Sequence, residues 1–141
     1  MYKKEIQIAA APEQVFAYVA DLPRHSEWAS HTLSLEPQSE GAVAVGSRFK
    51  SVGHQFGKDN QDEVTVHEYA PSKRFVFDSE DSSGVFRHTF ELTPEGEGTR
   101  VVKSCEVLSA PMKTKLLTPI LAVLVPTALS KDLQRIKSRL E

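Results

Sequence analysis

Residues 11–28, APEQVFAYVADLPRHSEW, carry two short helical patterns, each with a proline at its head, and end on the only tryptophan of the chain. Pro12 suits the first position of a helix, where its missing N–H costs nothing. Glu13 puts an anion in the first turn, favourable to the helix dipole. Val15, Phe16 and Val19 supply an apolar stripe. Asp21 stands where a cap belongs, and Pro23 falls early in a second helix that ends near Trp28. A broken helix pair ending on Trp28 is expected to close one end of a pocket.

The flanks decide what the pair closes onto. Upstream, Ile6 and Ile8 alternate with Lys3, Glu5 and Gln7, the pattern of a half-buried strand. Downstream, period two persists and predicts strands at about 31–36, 47–55, 61–69, 74–79, 85–92 and 99–107. Between them lie PQSEGAVAVG, GKDN, APSK, EDSSG and PEGEG, rich in turn-forming residues. Connections this short join antiparallel neighbours. The six strands therefore form a meander, and the first strand takes an edge.

Residues 113–140 return to helical spacing. Leu129, Leu133, Ile136 and Leu140 form a narrow stripe, with Lys131, Gln134, Arg135, Lys137 and Arg139 on the outer face. The preceding segment, Leu116 to Val125, is apolar nearly all round, and such a helix is expected to be covered on most sides. Pro119 is tolerable near a helix start. Pro126 lies deeper, so the helix either bends there or begins later.

Composition narrows the function. A chain of 141 residues is expected to form one domain, residues 1–141, large enough to bury a core without staples. One cysteine forms no intramolecular disulfide and suits a reducing, cytoplasmic setting. The start, MYKKEIQIAA, lacks the apolar core of a signal peptide. Basic and acidic residues number 17 and 19, with no basic stripe, which argues against a nucleic-acid partner. The apolar run 116–129 is short and proline-interrupted, so stable membrane insertion is not expected. Five scattered histidines and one cysteine make no metal-ligand cluster. There is no P-loop, Rossmann fingerprint or GxSxG elbow, and no cofactor is expected.

IQIAAAPEQVFAYVADLPRHSEW (6–28) resembles the opening of the START-like polyketide cyclase/dehydrase and lipid transport (SRPBCC) superfamily. EYAPSKRFVF (68–77) and EGEGTRVV (95–102) resemble its later strand pair and hairpin entry, so the likeness spans nearly the whole chain. The resemblance implies an α+β helix-grip fold. In it a seven-stranded antiparallel sheet wraps a long C-terminal helix, two short helices follow the first strand, and a cavity lies between sheet and helix.

Alternation then proposes the cavity wall. Phe86, His88 and Phe90 share a face, as do Phe75 and Phe77, Val64 and Val66, and His31, Leu33 and Leu35. Phe49 shares its face with Ser51 and Gly53, which are small and leave room. In the strand from 99, Val101, Lys103, Cys105 and Val107 share one face and Arg100, Val102 and Ser104 the other, so its orientation stays open. The expected ligand contacts are Trp28, His31, Phe49, Val66, Phe75, Phe77, Phe86, His88 and Phe90, with Leu117, Leu121 and Leu124 from the helix. For the aromatics the competing role is plain core, and Trp28 either stacks on a ligand or packs the short helices onto the sheet. His88, between two phenylalanines, is the first candidate for chemistry and His31 the second. The competing role of His88 is a half-buried histidine satisfied by a neighbour. Arg48 and Lys103 default to a solvated face, Cys105 to the core, and Glu68 to an ion pair with Arg74.

These features point to binding of a small hydrophobic molecule: a lipid, polyketide-like or aromatic compound. The first alternative is a cofactor-independent cyclase, aromatase or dehydratase using a pocket histidine as general acid/base. The second is a quinone- or lipid-handling protein at a membrane surface, using the 116–125 segment, which a homodimer contact would otherwise occupy.

Overall fold

The computed structural model describes residues 1–30, 32–55 and 58–141. Strand β1 (Tyr2–Ile8) leads into helix α1 (Pro12–Val19) and a 3-10 helix (Leu22–Glu27). The meander follows: β2 (Thr32–Pro37), β3 (Arg48–Gln55), β4 (Lys58–Ala70), β5 (Arg74–Asp81), β6 (Gly84–Glu95) and β7 (Gly98–Ser109). A short helix α2 (Met112–Lys115) and the long α3 (Thr118–Leu140) end the chain. The seven strands lie in the order β1-β7-β6-β5-β4-β3-β2, with every neighbouring pair antiparallel. β1 takes the edge beside β7, pairing Tyr2 with Cys105 and Ile8 with Thr99. The architecture is the expected α+β helix-grip.

Several turns are tighter than their composition implies. In GKDN, Lys58, Asp59 and Asn60 already belong to β4 and pair with Gln55, His54 and Gly53. In EDSSG only Ser82 and Ser83 turn, because Asp81 pairs with Gly84. Gly84 sits at φ +136, and a Cβ there would lie 2.3 Å from the Ser109 carbonyl oxygen. Only glycine lets β6 start this close to the end of β7. Asp21 precedes the 3-10 helix as expected, yet its side chain makes no capping bond. The helix pair is closed instead by Glu27, which accepts from Tyr18 Oη at 3.1 Å and from Arg24 Nε at 2.8 Å.

The core lies where α1, the 3-10 helix and the second half of α3 meet one end of the sheet. Trp28 is fully enclosed and meets Phe90 edge-on at 5.5 Å between ring centroids. Phe16, Phe75 and Tyr69 extend the aromatic cluster. Leu133 and Ile136 of α3 are buried in this cluster and Leu129 is buried on the same stripe, as read from the sequence. Burying each such side chain contributes roughly 1.5–3 kcal/mol. The end of α3 is tied to β1: Lys137 Nζ donates to the Gln7 carbonyl at 3.0 Å, and the Ala9 N–H donates to Glu141 at 2.8 Å.

The first half of the C-terminal segment behaves otherwise. A break at Leu116 and Leu117 separates α2 from α3. The helix α3 begins at Thr118, with Pro119 in its first turn, and continues through Pro126, so a start after Pro126 does not occur. The apolar residues expected to be covered are not: Leu116 is 73% exposed and Val123 67%, with Met112, Ile120 and Leu124 also on the surface. The reason is geometric. The sheet grips α3 from Leu129 onward, and before that point the helix stands off from it.

Candidate functional site

Where α3 leaves the sheet, a cavity of about 240 Å³ remains. Its α3 wall is apolar over Leu121, Val125, Ala128 and Leu129, with Leu117 at the break before the helix, and turns polar at Asp132. The sheet wall changes character along each strand. On β4 the inward row runs Val66, Val64, Asp62, Asn60; on β5 it runs Phe75, Phe77, Ser79, Asp81. The apolar members nearest the core fill space, and the polar members face the cavity. β3 adds Ser51 and Gly53, β6 adds Phe86 and His88, and β7 adds Lys103 and Cys105. His25, Ala29 and Ser30 close the end nearest the 3-10 helix. Of the expected helix pair only His25 of the 3-10 helix reaches this wall; α1 contributes no lining residue, and Trp28 lies beneath the surface.

A buried ion pair marks this floor. Lys103, 3% exposed, reaches Asp132 of α3 at 3.2 Å. The other oxygen of Asp132 accepts from the Ser30 N–H at 2.9 Å and from Ser30 Oγ at 2.6 Å. The Lys103 ammonium also lies 4.9 Å from the Trp28 ring centroid and 5.3 Å from that of Phe90. A charge pair this deep is tolerable because both partners have further polar or π contacts.

The two histidines are neutral at ordinary pH. His88 stacks on Phe77, with centroids 4.8 Å apart, and its Nε2 meets Ser79 Oγ at 3.2 Å. Burial, and next the nearby Lys103 charge, lower its pKa to about 3, against the weaker pull of Asp132 and Asp78. His25 is lowered well below its ordinary value by burial, then by Lys103 and His88. Nδ1 of each ring is buried with no protein partner. Asp62 is shifted the opposite way, to about 6: burial dominates, Asp81 adds repulsion, and a hydrogen bond from Ser51 opposes both. The Cys105 thiol is raised by burial, which leaves it an unreactive small wall residue.

A family model described as polyketide cyclase / dehydrase and lipid transport matches residues 2–141. The chain belongs to this family. Solved structures of the same shape include TTHA0849 from Thermus thermophilus, 25% identical with a TM-score of 0.78, over 99% of this chain and 95% of that one. CV1439 from Chromobacterium violaceum is 17% identical with a TM-score of 0.72, over 99% and 96%. The di-domain ARO/CYC StfQ from the steffimycin biosynthetic pathway is 14% identical with a TM-score of 0.80, over 99% of this chain and 50% of that one. No curated protein matches the chain in sequence.

Within this polyketide cyclase / dehydrase and lipid transport domain, the cavity gathers Phe77, Phe86, His88, Leu117 and Leu121 from the expected contacts. Trp28, Phe49, Val66, Phe75 and Phe90 are core instead, because they sit where the helix pair and the second half of α3 already cover the sheet. Leu124, three residues from Leu121 and so on the flank of the same helix face, is exposed and does not line the cavity. His31 lies outside the described residues. Lys103 corrects its solvated default: β7 turns the face of Val101, Lys103 and Cys105 inward. Arg48 keeps to the outside, beside Glu63 at 3.3 Å, and Arg74 pairs with Glu68 at 2.9 Å as expected.

His25, Asn60, Asp62, Ser79, Asp81 and Asp132 were not foreseen on the wall. Asn60 and Asp81 look like turn residues, and only carrying period two further along β4 and β5 would have turned them inward. Asp132 was legible in principle, since it falls on the Leu129–Leu133–Ile136 stripe. Among the described residues no group of His, Cys, Asp and Glu is placed to hold a metal ion.

Proposed function

We propose that this domain binds a small, predominantly apolar molecule with a polar end, in the cavity between the sheet and α3. The observation that carries this reading is the two-sided wall: aliphatic side chains from α3 face Asp62, Ser79 and His88 on the sheet. A site of this kind fixes orientation with a few polar groups and derives affinity from apolar contact. A carrier, sensor or sequestering protein needs no more. Native mass spectrometry of gently purified protein tests it: a co-purifying small molecule released on denaturation is expected. A bare mass, together with no thermal shift from any apolar aromatic compound, would overturn it.

A cyclase-type reaction is the alternative, in keeping with the family description and the fold shared with StfQ. The state of His88 weighs against it as the acid/base. An imidazole with a pKa of about 3 has no proton to give at neutral pH and is a weak base. His88→Phe separates the readings: a binder keeps its ligand, whereas an enzyme relying on His88 loses turnover by about a hundredfold.

The exposed patch supports a second reading, loading at an anionic bilayer. Met112, Leu116, Ile120, Val123 and Leu124 are on the surface next to the cavity, with Lys113 and Lys115 among them. No acidic residue occurs between Glu106 and Asp132. No helix among the described residues is long and apolar enough to cross a membrane, so contact would be peripheral. A two-fold contact with a second copy would bring these lysines towards their own images, whereas anionic lipid complements them. Co-sedimentation with phosphatidylserine-containing vesicles is expected, and Ile120→Asp should abolish it. Failure to sediment, or a dimer in solution that Ile120→Asp dissociates, overturns this reading.

A further inference from the structure

We propose that the polar end of the ligand is a hydrogen-bond donor, and specifically an organic ammonium, received by Asp62 and Asn60 on the inward face of β4. This rests on the reading of the cavity as a binding site.

Among the described residues lining the cavity, three carboxylates, Asp62, Asp81 and Asp132, face one cation, Lys103. Two of the carboxylates are engaged. Asp132 holds Lys103 and Ser30. Asp81 accepts from the Ser83 N–H at 2.7 Å and Ser83 Oγ at 2.6 Å with one oxygen, and from Asn60 Nδ2 at 2.9 Å with the other. That last bond settles the Asn60 amide, because a carboxylate accepts and only the NH₂ end can face it. Asn60 Oδ1 is thereby left buried, an acceptor with no partner. Asp62 stands two residues along the same row, with the Ser51 hydroxyl and a backbone N–H to offset its burial and no cation among the groups that shift it.

Asn60 Oδ1 is therefore an unpartnered acceptor on this strand face, and the Asp62 carboxylate beside it, with about four lone-pair sites, has capacity left for a further donor. An independent observation comes from the other end of the cavity. His25, only 8% exposed, lines it and has a buried Nδ1 without a partner. Its neutral ring can also accept. Lys103 is the sole cation on the wall among the described residues and is already matched to Asp132, so a ligand carboxylate would meet net negative charge in a desolvated space. An ammonium would find charge-assisted acceptors instead, roughly twice as strong as neutral ones. The α3 wall would then take an apolar or aromatic body.

The test is a matched series measured by isothermal titration at pH 7.5: 2-naphthylmethylammonium, 2-naphthylmethanol and 2-naphthoate. The expected order is ammonium tighter than alcohol by about tenfold, with naphthoate weakest. Asp62→Asn, nearly isosteric, should weaken the ammonium more than the alcohol and so remove the ammonium advantage. Naphthoate binding as tightly as the ammonium would overturn the inference on the unaltered protein, as would an ammonium advantage that survives in folded Asp62→Asn. If the alcohol binds without any charge preference, the inference fails and the cavity reading stands. If none of the three binds, the cavity reading fails and this inference with it.

Discussion

Lys103 of β7 and Asp132 of α3 form an ion pair at 3.2 Å beneath the cavity, where α3 parts from the sheet. Each is held by more than the other: Asp132 by Ser30, Lys103 by the Trp28 and Phe90 rings. The pair joins the gripped half of α3 to the sheet and forms the cavity floor.

Removing one partner leaves an uncompensated charge, which costs about 3–5 kcal/mol for a buried pair. Lys103→Met alone should lower stability by that order in urea unfolding, and Asp132→Leu alone likewise. The double variant should recover most of the loss. Single variants within about 1 kcal/mol of the parent would show that water reaches the pair.

His88 gives the stability curve an acid limb. Its folded pKa lies below the unfolded value, so between about pH 6.5 and pH 3 the unfolded chain holds the extra proton. Stability is fully present above pH 6.5 and falls as pH drops through that window, at a limit of about 1.4 kcal/mol per unit. His25 acts in the same direction. His88→Gln should flatten the limb in a pH series of thermal melts; an unchanged slope would mean the ring is solvated when folded.

Asp62 works against folding at neutral pH. Its folded pKa is raised to about 6, so the stability linked to its proton is present below the unfolded value and lost as pH rises through about 6. Because the carboxyl is only part-buried, Asp62→Asn should stabilise by about 1–2 kcal/mol at pH 7.5, less than the full shift implies. The gain should vanish near pH 4. A destabilised variant would mean the carboxylate makes a needed contact.

Trp28 and Leu124 are expected to contrast. Trp28→Ala empties a fully enclosed site and should cost about 3–5 kcal/mol. Leu124→Ser, at an exposed position of α3 that does not line the cavity, should change stability by less than about 0.5 kcal/mol and leave occupation of the cavity unaltered. Loss of cavity binding on Leu124→Ser would place that residue inward.

Period two from β2 to β7, the short connections and the stripe Leu129–Leu133–Ile136 were enough for the order of elements, and the family resemblance carried by the motifs around Pro12, Pro71 and Gly98 implied the helix-grip. The element pattern is local chemistry: alternation, turn residues and helix spacing each act over a few positions. The facing of Lys103 had no local signal, because its strand carries a charge on each face. The division of Phe75, Phe77, Phe86 and Phe90 between core and cavity had none either. Every inward row runs continuously from one to the other, and only the place where α3 lifts off the sheet decides which members are covered. Local residue order was sufficient for two short helices, seven antiparallel strands and a terminal helical segment, and for which strand positions share a face, but not for the 3-10 form of the second helix or the break at Leu116 and Leu117. Long-range packing was needed to put the cavity at the polar end of those faces, to bring Asp132 to Lys103 beneath it, and to leave the apolar residues around Leu116 and Val123 uncovered. Burial is set by contact between elements far apart in the chain, and no local pattern states where that contact stops.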